Sequence, residues 1–256
     1  SSDLITSMPD AIIFDLDGTL ADTETVWDGV RQGMAADAGI EWPEGATQAM
    51  MGMSTGEWSR FLAEEVGLPY PPEEVARLTI EQMAEHYREG ITLLPGAIES
   101  VRRMAARYPL AIASSSPRVL IDSFIEVLGI DDVIEVSVST EEVDRGKPAP
   151  DGFIKACALL GVDPRRTIAI EDSTNGIASA LAAGMTVVAV PPHFHPPSAE
   201  LLEKTTVLQT LDELTVDLVE ELIPSPPAPD RATGGKGSPV DIAELGGDRG
   251  PNVVDP

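Results

Sequence analysis

Basic residues are scarce in this chain. Lysine and arginine together number 17 against 43 aspartates and glutamates, a formal charge of −26 over 256 residues. So acidic a surface repels nucleic-acid backbones and anionic membranes and excludes both as general partners. It does not exclude a small phosphorylated substrate, because one cation inside one pocket reverses the local field. Cysteine occurs once, at Cys157, so no intrachain disulfide can form. Cys157 lies in an apolar helical stretch and reads as a buried, inert thiol. There are three histidines. His193 and His195 fall in a Pro-rich segment that reads as a surface loop rather than a two-histidine metal site, and His86 reads as exposed. No apolar run approaches the ~18 residues that span a bilayer. No basic segment followed by an apolar stretch marks the N-terminus. A soluble, cytoplasmic protein is expected, and the oligomeric state is left open.

What is present is a core-forming chain, 43% apolar, with one conspicuous decapeptide. Residues 11–20 read Ala-Ile-Ile-Phe-Asp15-Leu-Asp17-Gly-Thr19-Leu. A short apolar run with the content of a buried parallel strand ends in two carboxylates one residue apart. Gly18 permits a tight turn there. In open α/β sheets ligands sit outside the carboxyl ends of the strands, which places Asp15 and Asp17 where chemistry is done. The competing reading is an Asp-Gly turn with solvated carboxylates.

Elements alternate along the rest of the chain. Strands are expected over 11–15, 110–114, 133–137, 167–170 and 186–190, and helices over 97–107, 118–128, 151–160 and 175–183. This pattern predicts an α/β fold, a Rossmann-like parallel sheet covered on both faces. Residues 22–90 break the alternation with helical stretches over 24–39, 46–51, 55–66 and 72–88. The expected organisation is a catalytic core of residues 9–21 and 91–223, a helical cap of residues 22–90 inserted after the first strand, and a disordered Pro/Gly-rich tail of residues 224–256. Residues 1–8 read as a flexible leader.

Four segments, in order, resemble the motifs of the haloacid dehalogenase superfamily of aspartate-dependent phosphotransferases. They are Asp15-Leu-Asp17-Gly-Thr19, then Ile112-Ala-Ser114-Ser115, then Gly146-Lys147-Pro148, and finally Ile170-Glu171-Asp172-Ser173. The resemblance implies that Asp15 is the nucleophile and Asp17 the general acid and base. It implies that Ser114 and Lys147 bind the transferring phosphoryl group, with Ser115 or Ser116 as alternatives to Ser114. Asp15, the Asp17 backbone carbonyl and Asp172 would ligate Mg2+, with Glu171 a nearby carboxylate behind them. Asn175 would orient Asp172 or cap the helix that starts there. Lys147 is the first lysine in the chain, and the other reading for it is a surface lysine before a helix.

Within the superfamily, Asp17 argues against the halide-releasing branch, which needs no leaving-group acid. The lack of any lysine before Lys147 argues against the phosphonate-cleaving branch, which uses a cap lysine. Trp27 stands where β-phosphoglucomutase-like enzymes usually carry histidine, and Thr55 where they carry a cap-loop arginine. Both departures count against a mutase, while Asp22-Thr-Glu24-Thr-Val-Trp27 and Ala113-Ser-Ser-Ser-Pro117 resemble sugar-phosphate phosphatases of the β-phosphoglucomutase-like branch. The resemblance implies a Mg2+-dependent phosphatase of a small phosphorylated metabolite, with sugar phosphates as the leading class. A hexose phosphomutase is the alternative, and a non-catalytic phosphate-binding regulatory protein is the alternative of another class.

Overall fold

In the computed structural model, residues 8–50, 53–193 and 196–223 are described. The expected leader (apart from Met8), His195 and the expected tail over 224–256 lie outside the described residues. All the described residues fall in one compact unit.

Six parallel strands form a single sheet in the order β3-β2-β1-β4-β5-β6. They are β1 (Ala11–Phe14), β2 (Leu110–Ser114), β3 (Val136–Ser139), β4 (Thr167–Glu171), β5 (Thr186–Ala189) and β6 (Thr206–Val207). β1 is fully buried and paired on both sides, with Ile13 opposite Ala111 of β2 and Ala169 of β4. Alternation along each strand divides the apolar side chains between two layers. Ile12, Phe14, Ile112, Ile168, Ile170 and Val188 belong to one buried cluster. Ile13, Ala111, Ala113, Ala169, Val187 and Ala189 belong to the other. The helices that fill the second layer are α7 (Asp151–Leu160) and α8 (Thr174–Ala182), through Phe153, Ala156, Ile177 and Ala180. The first layer is filled by α5 (Ala97–Ala105) and α6 (Arg118–Leu128), through Val101, Met104, Leu120 and Phe124. Completely burying a side chain such as Phe14 contributes on the order of 2–3 kcal/mol.

The strand over 136–139 lies later than the sequence pattern indicates. Val133 and Ile134 donate their N–H groups to Ile130 O at 3.1 and 3.0 Å. The apolar run is therefore split between a turn after α6, where both residues pack into the first layer, and β3 itself. β6 has only two residues, too few for any periodicity to register.

Between β1 and β2 the chain is helical: α1 (Glu24–Asp37), α2 (Ala46–Met50), α3 (Thr55–Phe61) running into a π-helical turn at Leu62–Val66, and α4 (Pro72–Glu89). Glu57 starts α3 by accepting from the Ser54 N–H at 2.8 Å, the capping-box bond at a helix start, and from the Ser54 hydroxyl at 2.7 Å. These helices share an apolar cluster of their own, including Met34, Met50, Trp58, Leu62 and Val75. α4 also reaches the first layer of the sheet through Met83, Ala84 and Tyr87. Among the described residues no helix is long and apolar enough to cross a membrane.

Two short helices, α9 (Ala199–Leu202) and α10 (Val216–Leu222), complete the chain as described. Because every strand runs the same way, all carboxyl ends share one edge. The crossovers turn in opposite directions on either side of β1 and β4, so the crevice of the fold opens where those two strands end.

Candidate active site

β1 hands directly to Asp15, whose N–H still bonds to Ile170 O at 2.9 Å. The carboxylate is thus held at the sheet's rim by the strand ladder and is 5% exposed. β4 delivers Glu171, completely buried, and Asp172, 8% exposed, at the neighbouring strand end. Carboxylate oxygens of Asp15, Glu171 and Asp172 all lie within 4.8 Å of one another.

One cation answers them. Lys147 Nζ donates to Asp15 Oδ1 at 2.5 Å and to Glu171 Oε1 at 2.6 Å. The lysine is itself buried, with Nζ 5.1 Å from the centroid of the Phe153 ring. Burial works against its charge, but Asp15 and Glu171 outweigh it and hold the ammonium above the ordinary lysine range. Burial pushes the Asp15 carboxyl up to about 7, against the pull of Lys147 and with the help of the Glu171 and Asp17 charges. Burial, then the charges of Glu171 and Asp15, push Asp172 well above its usual range.

Glu171 and Asp172 are also held by neutral donors. Glu171 Oε2 accepts from the N–H groups of Asp172 and Ser173 at 3.0 and 3.2 Å and from the Ser173 hydroxyl at 3.1 Å. Thr19 Oγ1 donates to Asp172 Oδ1 at 3.2 Å. Space is kept for both carboxylates by glycines. A Cβ on Gly18, where φ is +83°, would overlap the Asp172 carboxylate, and one on Gly176 would overlap that of Glu171.

Asp17 sits two residues on, immediately before the turn at Gly18, with its own ring of donors. Its Oδ2 accepts from Ser116 Oγ at 2.5 Å and Ser114 Oγ at 3.3 Å. Its Oδ1 accepts from Thr23 Oγ1 at 2.6 Å, Tyr87 OH at 3.4 Å and Trp27 Nε1 at 3.5 Å. Tyr87 is buried beside this carboxylate, and burial and then the Asp17 charge push its phenol above the ordinary range.

Asp15, Asp17, Ser114, Lys147, Glu171 and Asp172 are therefore brought together. Ser115 is not: it is exposed, while Ser116 is buried and turned to Asp17. Asn175 makes no hydrogen bond to Asp172 among the described residues. Nor does it cap α8; that position belongs to Ser173, whose hydroxyl accepts from Gly176 N at 3.1 Å. Sequence reading passed over Tyr87. Its neighbour His86 is half exposed, and nothing in the local pattern says which of the two faces the sheet.

A parallel, doubly wound sheet with buried carboxylates and one buried lysine at its switch point defines a Rossmann-like enzyme with an acidic centre at the strand tips. The chain belongs to the haloacid dehalogenase-like hydrolase family, whose model matches residues 12–190. It is 32% identical over 213 residues to hexitol phosphatase A of Escherichia coli, covering 80% of this chain and 92% of that one. It is 34% identical over 188 residues to a probable pseudouridine-5'-phosphatase of Drosophila melanogaster, covering 70% and 80%. Among solved structures, a variant of CbbY from Rhodobacter sphaeroides in complex with xylulose-(1,5)bisphosphate superposes with a TM-score of 0.72 at 28% identity, over 81% of this chain and 96% of that one.

Proposed function

We propose that this protein is a Mg2+-dependent phosphatase that hydrolyses a small phosphorylated metabolite, a sugar phosphate, through an aspartyl phosphate on Asp15. The observation that carries the reading is the buried contact of Lys147 with both Asp15 and Glu171, beside Asp172. A lysine placed there neutralises Asp15 and an arriving phosphoryl group together. The phosphatases among the relatives support the same reaction class.

Asp15 attacks phosphorus, and the bond from phosphorus to the sugar oxygen breaks. Asp17 gives that oxygen its proton, then takes one from the water that attacks the phosphorus of the aspartyl phosphate. Asp15 is regenerated and inorganic phosphate leaves, with one water consumed. Ser114, and Ser116 in place of Ser115, present hydroxyls beside Asp17 to the phosphoryl oxygens. Thr23, Trp27 and Tyr87 orient the second oxygen of Asp17.

The donor set fits a hard cation. Three buried carboxylates face one ammonium, an excess of negative charge that an oxygen-seeking ion relieves. Asp15, Asp172 and the Asp17 backbone carbonyl would hold it, with Glu171 behind them engaged to Lys147. When bound, magnesium supplies positive charge against the carboxylates and the phosphoryl oxygens.

Phosphate release from a panel of sugar phosphates tests this. Activity should vanish on chelation and return with magnesium; full activity in excess EDTA after dialysis overturns the metal assignment. Rapid conversion of β-glucose 1-phosphate to glucose 6-phosphate, with negligible phosphate release, would replace the phosphatase with a phosphomutase. Binding without any turnover would make it a phosphate-binding protein.

A further inference from the structure

Among the described residues Arg31 forms no salt bridge, and Asp28 is the acid whose charge acts on it. Its guanidinium carbon lies 5.0 Å from the ring centroids of both Trp27 and Trp58. The two indoles stand 5.9 Å apart and tilted by 59°, so the guanidinium rests against both on adjacent sides and gains cation–π attraction from each. Its Nε is buried and has no hydrogen-bond partner among the described residues. The nearest acid in its own helix, Asp28, is occupied elsewhere, accepting from Gln32 Nε2 at 2.7 Å and from the Thr47 hydroxyl. Burial pulls the Arg31 guanidinium down to about 10, and the Asp28 charge restores only part of the loss.

Among the described residues this arginine has no salt bridge, although Arg77, Arg88, Arg118, Arg145 and Arg165 each have one. The guanidinium also has an address. Trp27 and Arg31 are one turn apart on the same face of α1, about 6 Å along the axis. The indole N–H of that same Trp27 faces Asp17. A guanidinium without a salt bridge thus stands one turn beyond the residue that orients the acid, on the helices inserted after β1.

We propose that Arg31, held against Trp27 and Trp58, binds a second anionic group of the substrate, remote from the phosphoryl group that is transferred. The substrate class is then a sugar carrying two anions: a bisphosphate or a phosphorylated sugar acid. This deepens the phosphatase reading and rests on it. A guanidinium binds either anion in bidentate fashion, and packing against the two indoles pre-orders a long side chain. The loop position where related enzymes carry an arginine is Thr55 here, so α1 supplies the charge from a different element.

The test uses the full-length protein and matched ligand pairs: fructose 1,6-bisphosphate against fructose 1-phosphate, ribulose 1,5-bisphosphate against ribulose 5-phosphate, and 6-phosphogluconate against glucose 6-phosphate. Two quantities are read for each pair: the ratio of kcat/KM, and the ratio of binding constants in an Asp15→Asn background, followed by tryptophan fluorescence. In at least one pair the dianionic member should be preferred. Arg31→Gln should lower that preference by about tenfold to a hundredfold, mainly through KM, while Arg31→Lys retains part of it. The singly phosphorylated partner in each pair reports whether the variant is folded. Equal handling of both members in every pair, or a preference that Arg31→Gln leaves intact, overturns the proposal. Turnover of the monophosphates in that case leaves the phosphatase reading standing. If no ligand is turned over but the Arg31-dependent binding preference persists, the phosphatase reading fails and the anion site survives.

Discussion

The strand tips and the inserted helices both hold Asp17 or its neighbours, with different kinds of bond. On the sheet side the contacts to Asp15 and Glu171 are ionic and short, from Lys147 at 2.5 and 2.6 Å, beside the Ser114 and Ser116 hydroxyls on Asp17. On the insert side they are neutral donors to one oxygen of Asp17, short from Thr23 at 2.6 Å but long from Tyr87 at 3.4 Å and Trp27 at 3.5 Å. Short charge-assisted bonds are strong and directional, and bonds near 3.5 Å are weak. The sheet therefore carries the charge that the reaction needs, while α1 and α4 adjust the aim of one carboxylate.

Substitutions can break or sharpen that contrast. The largest effect belongs to the sheet. Asp15→Asn should lower phosphate release by at least about 10⁴-fold with circular dichroism unchanged; appreciable turnover by the folded variant would remove Asp15 as nucleophile. Next comes the residue both sides share. Asp17→Ala should cost about 10² to 10⁴ in kcat, with both formation and hydrolysis of the aspartyl phosphate slowed in single-turnover experiments.

The insert side should answer more weakly. Tyr87→Phe deletes one long neutral bond and should lower kcat by less than about tenfold, whereas Ser116→Ala, which removes a 2.5 Å bond to the same carboxylate, should cost more. If Tyr87→Phe matched Asp17→Ala, the division of labour between the two regions would be wrong.

The smallest effect is on stability. The Asp15 carboxyl is pushed up to about 7 in the folded protein against an ordinary value of 3.8. Between those values the folded protein keeps a proton that the unfolded chain has released, so metal-free stability falls as pH rises through that window. Thermal melts in EDTA should show Tm lower by a few degrees near pH 8 than near pH 5. Magnesium should restore most at the upper end, and Asp15→Asn should flatten the slope.

Much of the sheet side was legible because each motif is local. Asp15 and Asp17 follow one strand, Ser114 ends another, and Glu171 with Asp172 ends a third, so reading the strands placed the carboxylates. Lys147 was legible from its Gly-Lys-Pro setting. The choice between Ser115 and Ser116 was not, because it depends on how the chain turns after β2 before α6 begins. The register of β3 was hidden for a similar reason: Val133 and Ile134 carry strand-forming side chains but are spent in a turn. On the insert side, Tyr87 and the setting of Arg31 come from the packing of α1, α3 and α4 against one another and the sheet. Helical periodicity shows that a face is buried without showing what it meets.

Gly18 and Gly176 carry no chemistry, yet their missing side chains are the space that Asp172 and Glu171 occupy. For anyone diversifying this enzyme, the map of tolerant positions will not follow the map of functional groups. Randomising either glycine should yield inactive clones with every acidic residue intact. A library aimed at new substrates belongs at positions 31 and 58, which among the described residues make no bond to Asp15, Asp17, Glu171 or Asp172.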